Sequence, residues 1–329
     1  MKKKAFITGI SGQDGSYLSE HLLDKGYAVY GIIRRNSITE HQRNRLSHLD
    51  GKIELAYGDL TDKTSLDKHL KLIKPDEIYN LGAQSHVRVS FEIPEFTFQS
   101  NGIGVYNILE STKEFSPKSK FYQASSSEMF GRSVDNDGYQ REGTRFEPTS
   151  PYGCAKVFGF NLTKHYRKAY KIFAVNGILF NHESKRRGSN FVTSKVVKTA
   201  VRIKHQLEKE LVLGNMDSSR DWGHSKDYVN AMHLILTQDE PDDYVVATGQ
   251  TRTVRELCEY VFSKLNLDLE KYLKTSEKFM RPEELRYLKG DSSKIRKKLK
   301  WKPKYSFENL IDEMIGFWEV HYSNDNVNY

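Results

Sequence analysis

A glycine-rich turn near the start of the chain constrains the fold more than any other feature. Thr8-Gly-Ile-Ser-Gly-Gln-Asp-Gly15 follows the apolar run Ala5–Thr8 and precedes an amphipathic stretch, 14–25, that Gly26 ends. Glycines at this spacing permit a tight turn and let the backbone approach a diphosphate. The helix that follows offers free N–H groups and a positive dipole end to phosphates. The segment therefore predicts a dinucleotide site at Gly9, Gly12, Gln13, Asp14 and Gly15.

The first 180 residues alternate short β-branched runs with longer amphipathic stretches, a pattern typical of a parallel sheet with crossover helices. The predicted strands are Ala5–Thr8, Ala28–Ile33, Ile53–Tyr57, Glu77–Leu81, Phe121–Ala124 and Phe173–Phe180. The predicted helices cover 14–25, 64–71, 96–114 and 151–170. After Asn181 the alternation is lost. We therefore predict an α/β fold with a Rossmann-like, doubly wound parallel sheet and a smaller, interleaved C-terminal domain that binds substrate.

Composition excludes several classes of protein. No run approaches the ~20 consecutive apolar residues of a membrane span. Two cysteines, Cys154 and Cys258, are too few for a disulfide scaffold or a cysteine-rich zinc site, so we predict no metal and a cytoplasmic location. The net charge of +8 owes much to the run 294–304, which indicates a solvated helix end. A nucleic-acid groove is disfavoured because no matching motif accompanies the run.

The end of the second strand indicates which nicotinamide cofactor would bind. An acidic residue there, about 20 residues beyond the turn, would accept a hydrogen bond from the ribose 2′-hydroxyl of NAD. This chain has Arg34 and Arg35 instead, and paired guanidinium groups favour the 2′-phosphate of NADP. Loops after the next two strands add the remaining candidate cofactor contacts, which are Asp59, Leu60, Leu81, Ala83 and Ser85.

Tyr152 and Lys156 are one helical turn apart, so they share a helix face. A nearby ammonium group lowers the pKa of a phenol, so we expect Tyr152 to act as a base toward a sugar hydroxyl. Either Ser125 or Ser126, at the end of the fifth strand, offers a hydroxyl to the reacting oxygen. Glu128 is an additional carboxylate that simple alcohol oxidation does not need. It indicates a further proton transfer, such as elimination of water beside a ketone.

The chain resembles the extended short-chain dehydrogenases/reductases and, among them, the GDP-mannose 4,6-dehydratase family. The resemblance runs nearly end to end. It is carried by ITGISGQDGSYL (7–18), YGDLTD (57–62), PDEIYNLGAQSHVRVSFE (75–92), FYQASSSEMFG (121–131), SPYGCAK (150–156), NGILFNHESKRRGSNFVTSK (176–195), LGNMDSSRDWGHSKDYV (213–229), RPEEL (281–285) and LKGD (288–291).

The resemblance implies a role for individual residues. Ser126 stands where the family has its catalytic threonine, Glu128 is the acid/base of elimination, and Tyr152 with Lys156 form the oxidising pair. His182 and Arg187 are implied as further cofactor contacts, in addition to Lys156. The implied contacts to the GDP-sugar are Ser85, Asn181, Lys195, Arg220, Arg281 and Glu284.

The implied reaction is NADP-dependent dehydration of GDP-mannose to GDP-4-keto-6-deoxymannose, for deoxysugar or surface-glycan biosynthesis. The C4 hydroxyl is oxidised, water is lost across C5 and C6, and the hydride returns to C6. The same chemistry on a GDP-manno-heptose or another GDP-hexose remains an alternative, as do a GDP-4-keto-sugar reductase and an epimerase. A homotetramer or dimer is implied, with the loop 34–45 at the interface. The implied domains are an NADP-binding domain, 1–180 with a returning segment at about 222–248, and a GDP-sugar lobe, 181–221 and 249–329.

Overall fold

The computed structural model describes residues 2–35 and 44–323. Its strands, in chain order, are β1 Lys4–Thr8, β2 Ala28–Ile33, β3 Glu54–Tyr57, β4 Glu77–Asn80, β5 Lys120–Ser126, β6 Ala174–Leu179, β7 Asn181–Glu183, β8 Leu211–Leu213, β9 Ser219–Arg220, β10 Trp222–His224, β11 Tyr244–Val246, β12 Arg252–Thr253 and β13 Leu273–Thr275. The helices are α1 Gln13–Asp24, α2 Lys63–Ile73, α3 Val89–Glu92, α4 Pro94–Phe98, α5 Gly104–Phe115, α6 Pro151–Ala169, α7 Val192–Lys204, α8 Ser225–Leu236, α9 Val254–Lys264, α10 Leu269–Tyr272, α11 Ser293–Leu299 and α12 Phe307–Ser323.

Seven strands form one parallel sheet in the order β11-β6-β5-β4-β1-β2-β3. The chain builds outward from β1 to β3 on one side, then returns to place β4 on the other side of β1. The strand order therefore reverses between β1 and β4, and ligands of open α/β sheets bind beside the carboxyl ends of such strands. The predicted doubly wound sheet is confirmed, with all six predicted strands present.

Helices cover both faces of this sheet. On one face, α1 and α8 pack through residues that include Leu18, Leu22 and Met232. On the other face, α2 and α5 pack through residues that include Leu66 and Ile108. Strands covered on both sides contain almost continuous apolar residues. For that reason β4 and β6 are buried along their whole length.

The predicted helix over 96–114 is present, and the backbone stays helical from α4 to α5 through a wider turn that the sequence did not predict. Between α4 and α5, residues Gln99–Ile103 form a π-helical turn. Asn101 in this turn exchanges hydrogen bonds with the backbone of Gln84 in the loop after β4: Nδ2 donates to Gln84 O and Oδ1 accepts from Gln84 N, both at 2.8 Å. The wider turn thus supports the loop at the switch point, in keeping with the frequent use of π-bulges at functional sites.

A second apolar core lies beyond residue 191. It is built mainly from α7, α9 and α12, with Val197, Leu257 and Ile311 fully buried within it. Short strand pairs, β7 with β10, β9 with β12 and β8 with β13, form three separate two-stranded sheets. None of the helices in the described ranges combines the length and apolar composition that crossing a membrane needs.

Candidate active site

The glycine turn packs tightly on the inside and is open on the outside. Gly9 has φ of +68°, and a Cβ there would lie 2.8 Å from the backbone nitrogen of Gly82. A Cβ on Gly15 would lie 2.4 Å from Gly9 O, whereas a Cβ on Gly12 would meet only Gly9 O, at 3.1 Å. The first turn of α1 has no side-chain cap. The open side of Gly12 and the uncapped N–H groups fit a diphosphate at this position.

A cavity of about 650 Å³ lies beside this turn and collects most of the candidate site residues. The predicted catalytic residues that line it are Ser126, Glu128, Tyr152 and Lys156. The predicted cofactor contacts in its wall are Asp14, Leu81, Ala83, Ser85, Lys156, His182 and Arg187. All six predicted contacts to the GDP-sugar line it, namely Ser85, Asn181, Lys195, Arg220, Arg281 and Glu284.

The other predicted cofactor residues lie outside the cavity wall. Gly9, Gly12, Gln13 and Gly15 form the turn and the start of α1. Arg34 and Arg35 are exposed immediately after β2. The Asp59 carboxylate accepts hydrogen bonds from the Thr61 backbone and hydroxyl at 2.8 Å, and Leu60 is buried. Most of the predicted interface loop, residues 36–43, lies outside the described residues.

Helix α6 carries the tyrosine and lysine into the cavity. Ser150 caps the helix by accepting a hydrogen bond from Gly153 N at 3.0 Å, and Pro151 occupies its first turn. Lys156 Nζ lies 5.7 Å from the centre of the Tyr152 ring and donates to Ala124 O at 2.8 Å. The two side chains thus share one face of α6 beside the carboxyl end of β5.

The pKa of Tyr152 differs from the sequence-based expectation. Burial, with a smaller contribution from the negative charge of Glu128, raises the pKa of Tyr152 to about 12, although Ser126 and Arg187 act in the opposite direction. Burial also lowers the pKa of Lys156 to about 8. In the protein without ligands, desolvation is therefore the largest influence on the phenol pKa, and the net lowering that we expected is not found.

The structure distinguishes the two candidate serines. Ser125 is buried, and its hydroxyl donates to Asn176 Oδ1 at 3.0 Å. The Ser126 hydroxyl accepts from Glu128 N at 3.2 Å and also hydrogen bonds with Tyr152. Ser126 is therefore the serine whose hydroxyl lies beside the phenol.

Glu128 belongs to a cluster of two carboxylates and two guanidinium groups. Arg281 Nη1 lies 3.3 Å and 3.4 Å from the two Glu128 carboxylate oxygens, and Arg281 N donates to Glu284 Oε1 at 2.9 Å. Arg220 is buried, and burial followed by the charge of Arg281 lowers its pKa to about 10. Two guanidinium groups this close suit an anionic ligand with several oxygens.

Two further residues present polar atoms to the cavity. The side-chain oxygen of Asn181 is buried without a hydrogen-bond partner in the described structure. Lys195 Nζ donates to Val212 O at 2.6 Å and lies 3.7 Å from the centre of the Phe279 ring. Burial lowers the pKa of Lys195. An unpaired buried acceptor is costly, so Asn181 fits a position completed by a ligand donor.

Two ion pairs form the wall near the glycine turn. His182 Nε2 lies 2.7 Å from Asp14 Oδ2, and Arg187 Nε lies 2.9 Å from Glu183 Oε2. Burial alone would raise the pKa of Asp14, but His182 and Arg187 lower it overall. Burial would lower the pKa of His182, yet Asp14 and Phe180 O raise it overall. Both histidine and carboxylate are therefore stabilised in their charged forms.

Sequence reasoning missed several residues in the cavity wall, and Glu183 and His86 are two of them. Glu183 is buried, where it accepts from the Thr193 hydroxyl at 2.7 Å and pairs with Arg187. His86 Nδ1 accepts from Val89 N at 3.2 Å, and its Nε2 lies 3.2 Å from Asn190 O. Both residues could have been found because each comes directly after a predicted contact in the sequence: Glu183 follows His182, and His86 follows Ser85.

Comparison with known proteins places this chain in a family. The family model described as GDP-mannose 4,6 dehydratase matches residues 6–314. A GDP-mannose 4,6 dehydratase of Cricetulus griseus is 45% identical over 339 residues, covering 95% of this chain and 91% of the relative.

Among solved structures, dTDP-glucose 4,6-dehydratase of Bacillus anthracis in complex with NAD has a TM-score of 0.84 at 21% identity, covering 98% of each chain. RMD of Pseudomonas aeruginosa complexed with NADPH has a TM-score of 0.81 at 23% identity, covering 97% of this chain and 100% of that one. At this identity the two structures show the same fold.

Proposed function

This chain belongs to the GDP-mannose 4,6-dehydratase family, and we propose that it converts GDP-mannose to GDP-4-keto-6-deoxymannose with NADP as cofactor. Its enzyme class is that of the hydro-lyases. The observation that supports the proposal best is the position of Glu128 in one cavity with Tyr152 and Lys156. A dehydrogenase or an epimerase needs the tyrosine and lysine, whereas an elimination also needs the carboxylate.

Each catalytic side chain has a distinct task in this proposal. Tyr152 takes the proton of the C4 hydroxyl, and Ser126 hydrogen bonds with the same oxygen. Lys156 supplies positive charge beneath the phenol. Bound NADP⁺ supplies the hydride acceptor for C4 and, as NADPH, the hydride donor for C6. Because a C4 ketone acidifies the C5 proton, Glu128 removes that proton and passes it to the C6 hydroxyl, which leaves as water. When the hydride returns to C6, C5 regains a proton from Tyr152, which took one from the C4 hydroxyl in the first step.

The cationic cluster supplies recognition of the nucleotide. Arg220 and Arg281 bind the diphosphate, Lys195 contributes a further positive charge, and Glu284 accepts from a ribose hydroxyl. Asn181 accepts a hydrogen bond from the sugar or nucleotide through its unpaired oxygen. The lobe 181–221 and 249–329 is the GDP-sugar-binding domain in this proposal, and 1–180 with 222–248 binds the cofactor.

Arg34 and Arg35 set the preference for NADP over NAD. Replacing both by alanine should raise KM for NADP⁺ roughly tenfold or more, because charge-assisted hydrogen bonds to the 2′-phosphate are lost. KM for NAD⁺ should change little. Replacement of Lys25 and Lys52, two exposed cations outside the cavity wall, is the matched control. An equal loss for both cofactors would contradict this role.

The activity is tested by incubating the purified protein with GDP-mannose and a catalytic amount of NADP⁺. Mass spectrometry should show loss of one water from the nucleotide sugar, without accumulation of NADPH. Stoichiometric consumption of NADPH would favour a reductase, and an isomer of unchanged mass would favour an epimerase. If water is lost only from a GDP-heptose, the proposed reaction type stands and the proposed substrate is wrong. Light scattering on the same sample tests the proposed homotetramer.

A further inference from the structure

His182 lies between two hydrogen-bond acceptors. Its Nδ1 is 2.7 Å from Phe180 O and its Nε2 is 2.7 Å from Asp14 Oδ2. A neutral imidazole has one ring proton and satisfies one of these acceptors, whereas an imidazolium donates to both. The ring also stacks on Tyr228, with 4.4 Å between ring centres. The hydrogen-bond geometry around His182 therefore favours the doubly protonated form.

Asp14 occupies an unfavourable place for an anion when a diphosphate binds nearby. It lies in the uncapped first turn of α1, two residues after the open side of Gly12. A carboxylate there repels the phosphates that the helix N-terminus attracts. Its Oδ1 accepts from Gln13 Nε2 at 3.3 Å, and its Oδ2 faces His182. The surrounding hydrogen bonds thus direct Asp14 toward His182.

Gln13 adds two contacts to the same segment. Its Nε2 donates to His182 O at 3.1 Å, and its Oε1 accepts from the Ser184 hydroxyl at 2.8 Å. Gln13 and Asp14 therefore connect the N-terminus of α1 to β7. β7 pairs with β10, which begins two residues after Arg220. The contacts of Gln13 and Asp14 therefore also link α1 to the region proposed to bind the sugar nucleotide.

The charged groups around His182 nearly cancel when its ring is protonated. They are Asp14 on α1, Glu183 beside it in β7, and Arg187, which pairs with Glu183. Tyr228 of α8 covers the ring face as a neutral phenol, whose pKa is raised well above its usual value by burial. When all four groups are ionised, the two acids and two cations sum to zero, and loss of the His182 proton leaves one net negative charge beside the glycine turn. Burial raises the pKa of Glu183, and Arg187 opposes that rise.

We propose that Asp14 and His182 form a charge-neutralising ion pair in which His182 is an imidazolium. Because His182 cancels the negative charge of Asp14, the cofactor diphosphate can bind at the N-terminus of α1. Asp14 is then a positioning residue and not a direct cofactor contact. The ligand in this statement rests on the proposed function, but the protonation state of His182 does not.

The protonation state is tested in the protein without ligands by ¹⁵N NMR of its histidine rings. Both His182 nitrogens should have imidazolium shifts near neutral pH, and Asp14→Asn should convert the ring to a neutral tautomer. His21 and His233 serve as internal references, because burial lowers the pKa of each to about 4 and leaves them neutral. A neutral His182 ring in the unmodified protein would overturn the proposal.

The neutralising role is tested by calorimetric titration of NADP⁺ into single and double variants. His182→Gln should weaken binding about tenfold near neutral pH, because the Asp14 carboxylate then faces the diphosphate uncompensated. Adding Asp14→Asn should restore most of the lost affinity. If the double variant binds no better than His182→Gln, His182 contacts the cofactor directly and the proposal is wrong.

Two further variants separate charge from folding. Gln13→Ala should weaken the contact between α1 and β7 while leaving the His182 ring protonated. Asp24→Asn, at the other end of α1, should change neither that contact nor the protonation of His182. If His182→Gln does not fold, the proposal is tested instead by measuring NADP⁺ affinity against pH for the unmodified protein and for Asp14→Asn. The unmodified protein should lose NADP⁺ affinity as pH rises through the His182 titration, and Asp14→Asn should remove this loss. Failure of NADP⁺ to bind any variant contradicts the proposed cofactor but leaves the NMR result standing.

Discussion

Arg281 forms an ion pair with Glu128 inside the cavity, with Nη1 3.3 Å from Oε1 and 3.4 Å from Oε2. The same guanidinium lies beside the buried Arg220. One arginine thus connects the proposed acid–base group to the proposed diphosphate site.

Replacing Glu128 by Gln should stop water loss while NADP⁺ still binds. The amide keeps the shape of the side chain but cannot take the C5 proton, so the rate of elimination should fall roughly 100- to 10,000-fold. Mass spectrometry of the product measures the rate, and calorimetry measures cofactor affinity. Glu147→Gln, at an exposed carboxylate that accepts from Ser133, is the control. Elimination at the unmodified rate would remove Glu128 from the mechanism.

Tyr152 should not ionise near neutral pH in the protein without ligands. Burial raises its pKa to about 12, so its phenolate should form only in strong alkali. A bound cationic nicotinamide should shift this titration toward neutral pH, because a positive charge favours the phenolate. Ultraviolet difference spectra of the protein against Tyr152→Phe measure both states. Tyr170→Phe at the end of α6 is the control, and an unchanged titration with NADP⁺ would contradict the role of Tyr152 as base.

Two glycines of the same turn should respond differently to alanine. Gly15→Ala should destabilise the fold by roughly 3 kcal/mol, because its Cβ would overlap the backbone of Gly9 and Ile10. Gly12→Ala should cost less stability than Gly15→Ala, because its Cβ would meet a single atom, Gly9 O at 3.1 Å, and it should weaken NADP⁺ binding at the open side of the turn. Thermal unfolding and calorimetry separate the two effects, with Gly143→Ala as a control in open space. Equal NADP⁺ affinity for Gly12→Ala would place the diphosphate elsewhere.

The pair His21–His233 predicts sensitivity to acid. His21 Nε2 lies 3.0 Å from His233 Nδ1, and burial lowers the pKa of each ring to about 4. The unfolded chain binds protons below pH 6.5, so folding stability is present above that pH and is lost as pH falls toward 4. Because His21 is partly accessible and the two rings interact, the combined loss should be on the order of 3 kcal/mol.

Thermal unfolding across this pH range measures the loss. His21→Gln with His233→Gln should give a shallower decline than the unmodified protein, and His165→Gln should not. A decline of equal slope in all three proteins would show that other groups control the response to acid.

Much of the site was predictable because its elements follow local rules. The glycine turn after β1 and the one-turn spacing of Tyr152 and Lys156 are features of neighbouring residues, so periodicity and turn chemistry suffice to find them. The π-helical turn before α5 was not predictable from local sequence. Asn101 in this turn hydrogen bonds with Gln84, which is near it only in the folded chain.

The electrostatics of the site were the least predictable from sequence. Spacing alone suggested that Lys156 lowers the pKa of Tyr152, but burial raises that pKa in the folded protein. Likewise, Asp14 and His182 are 168 residues apart in sequence and form an ion pair only through tertiary structure. Desolvation depends on every neighbouring side chain, which no short motif contains.

The most direct test of the proposed reaction follows a deuterium label from C4 of GDP-mannose in the presence of catalytic NADP⁺. We predict loss of one water and recovery of the label at C6 of the 4-keto-6-deoxy product, with no net reduction of the cofactor. A label that accumulates in NADPH, or that remains at C4 of a product of unchanged mass, would contradict the internal hydride transfer and with it the assignment of this site as a dehydratase.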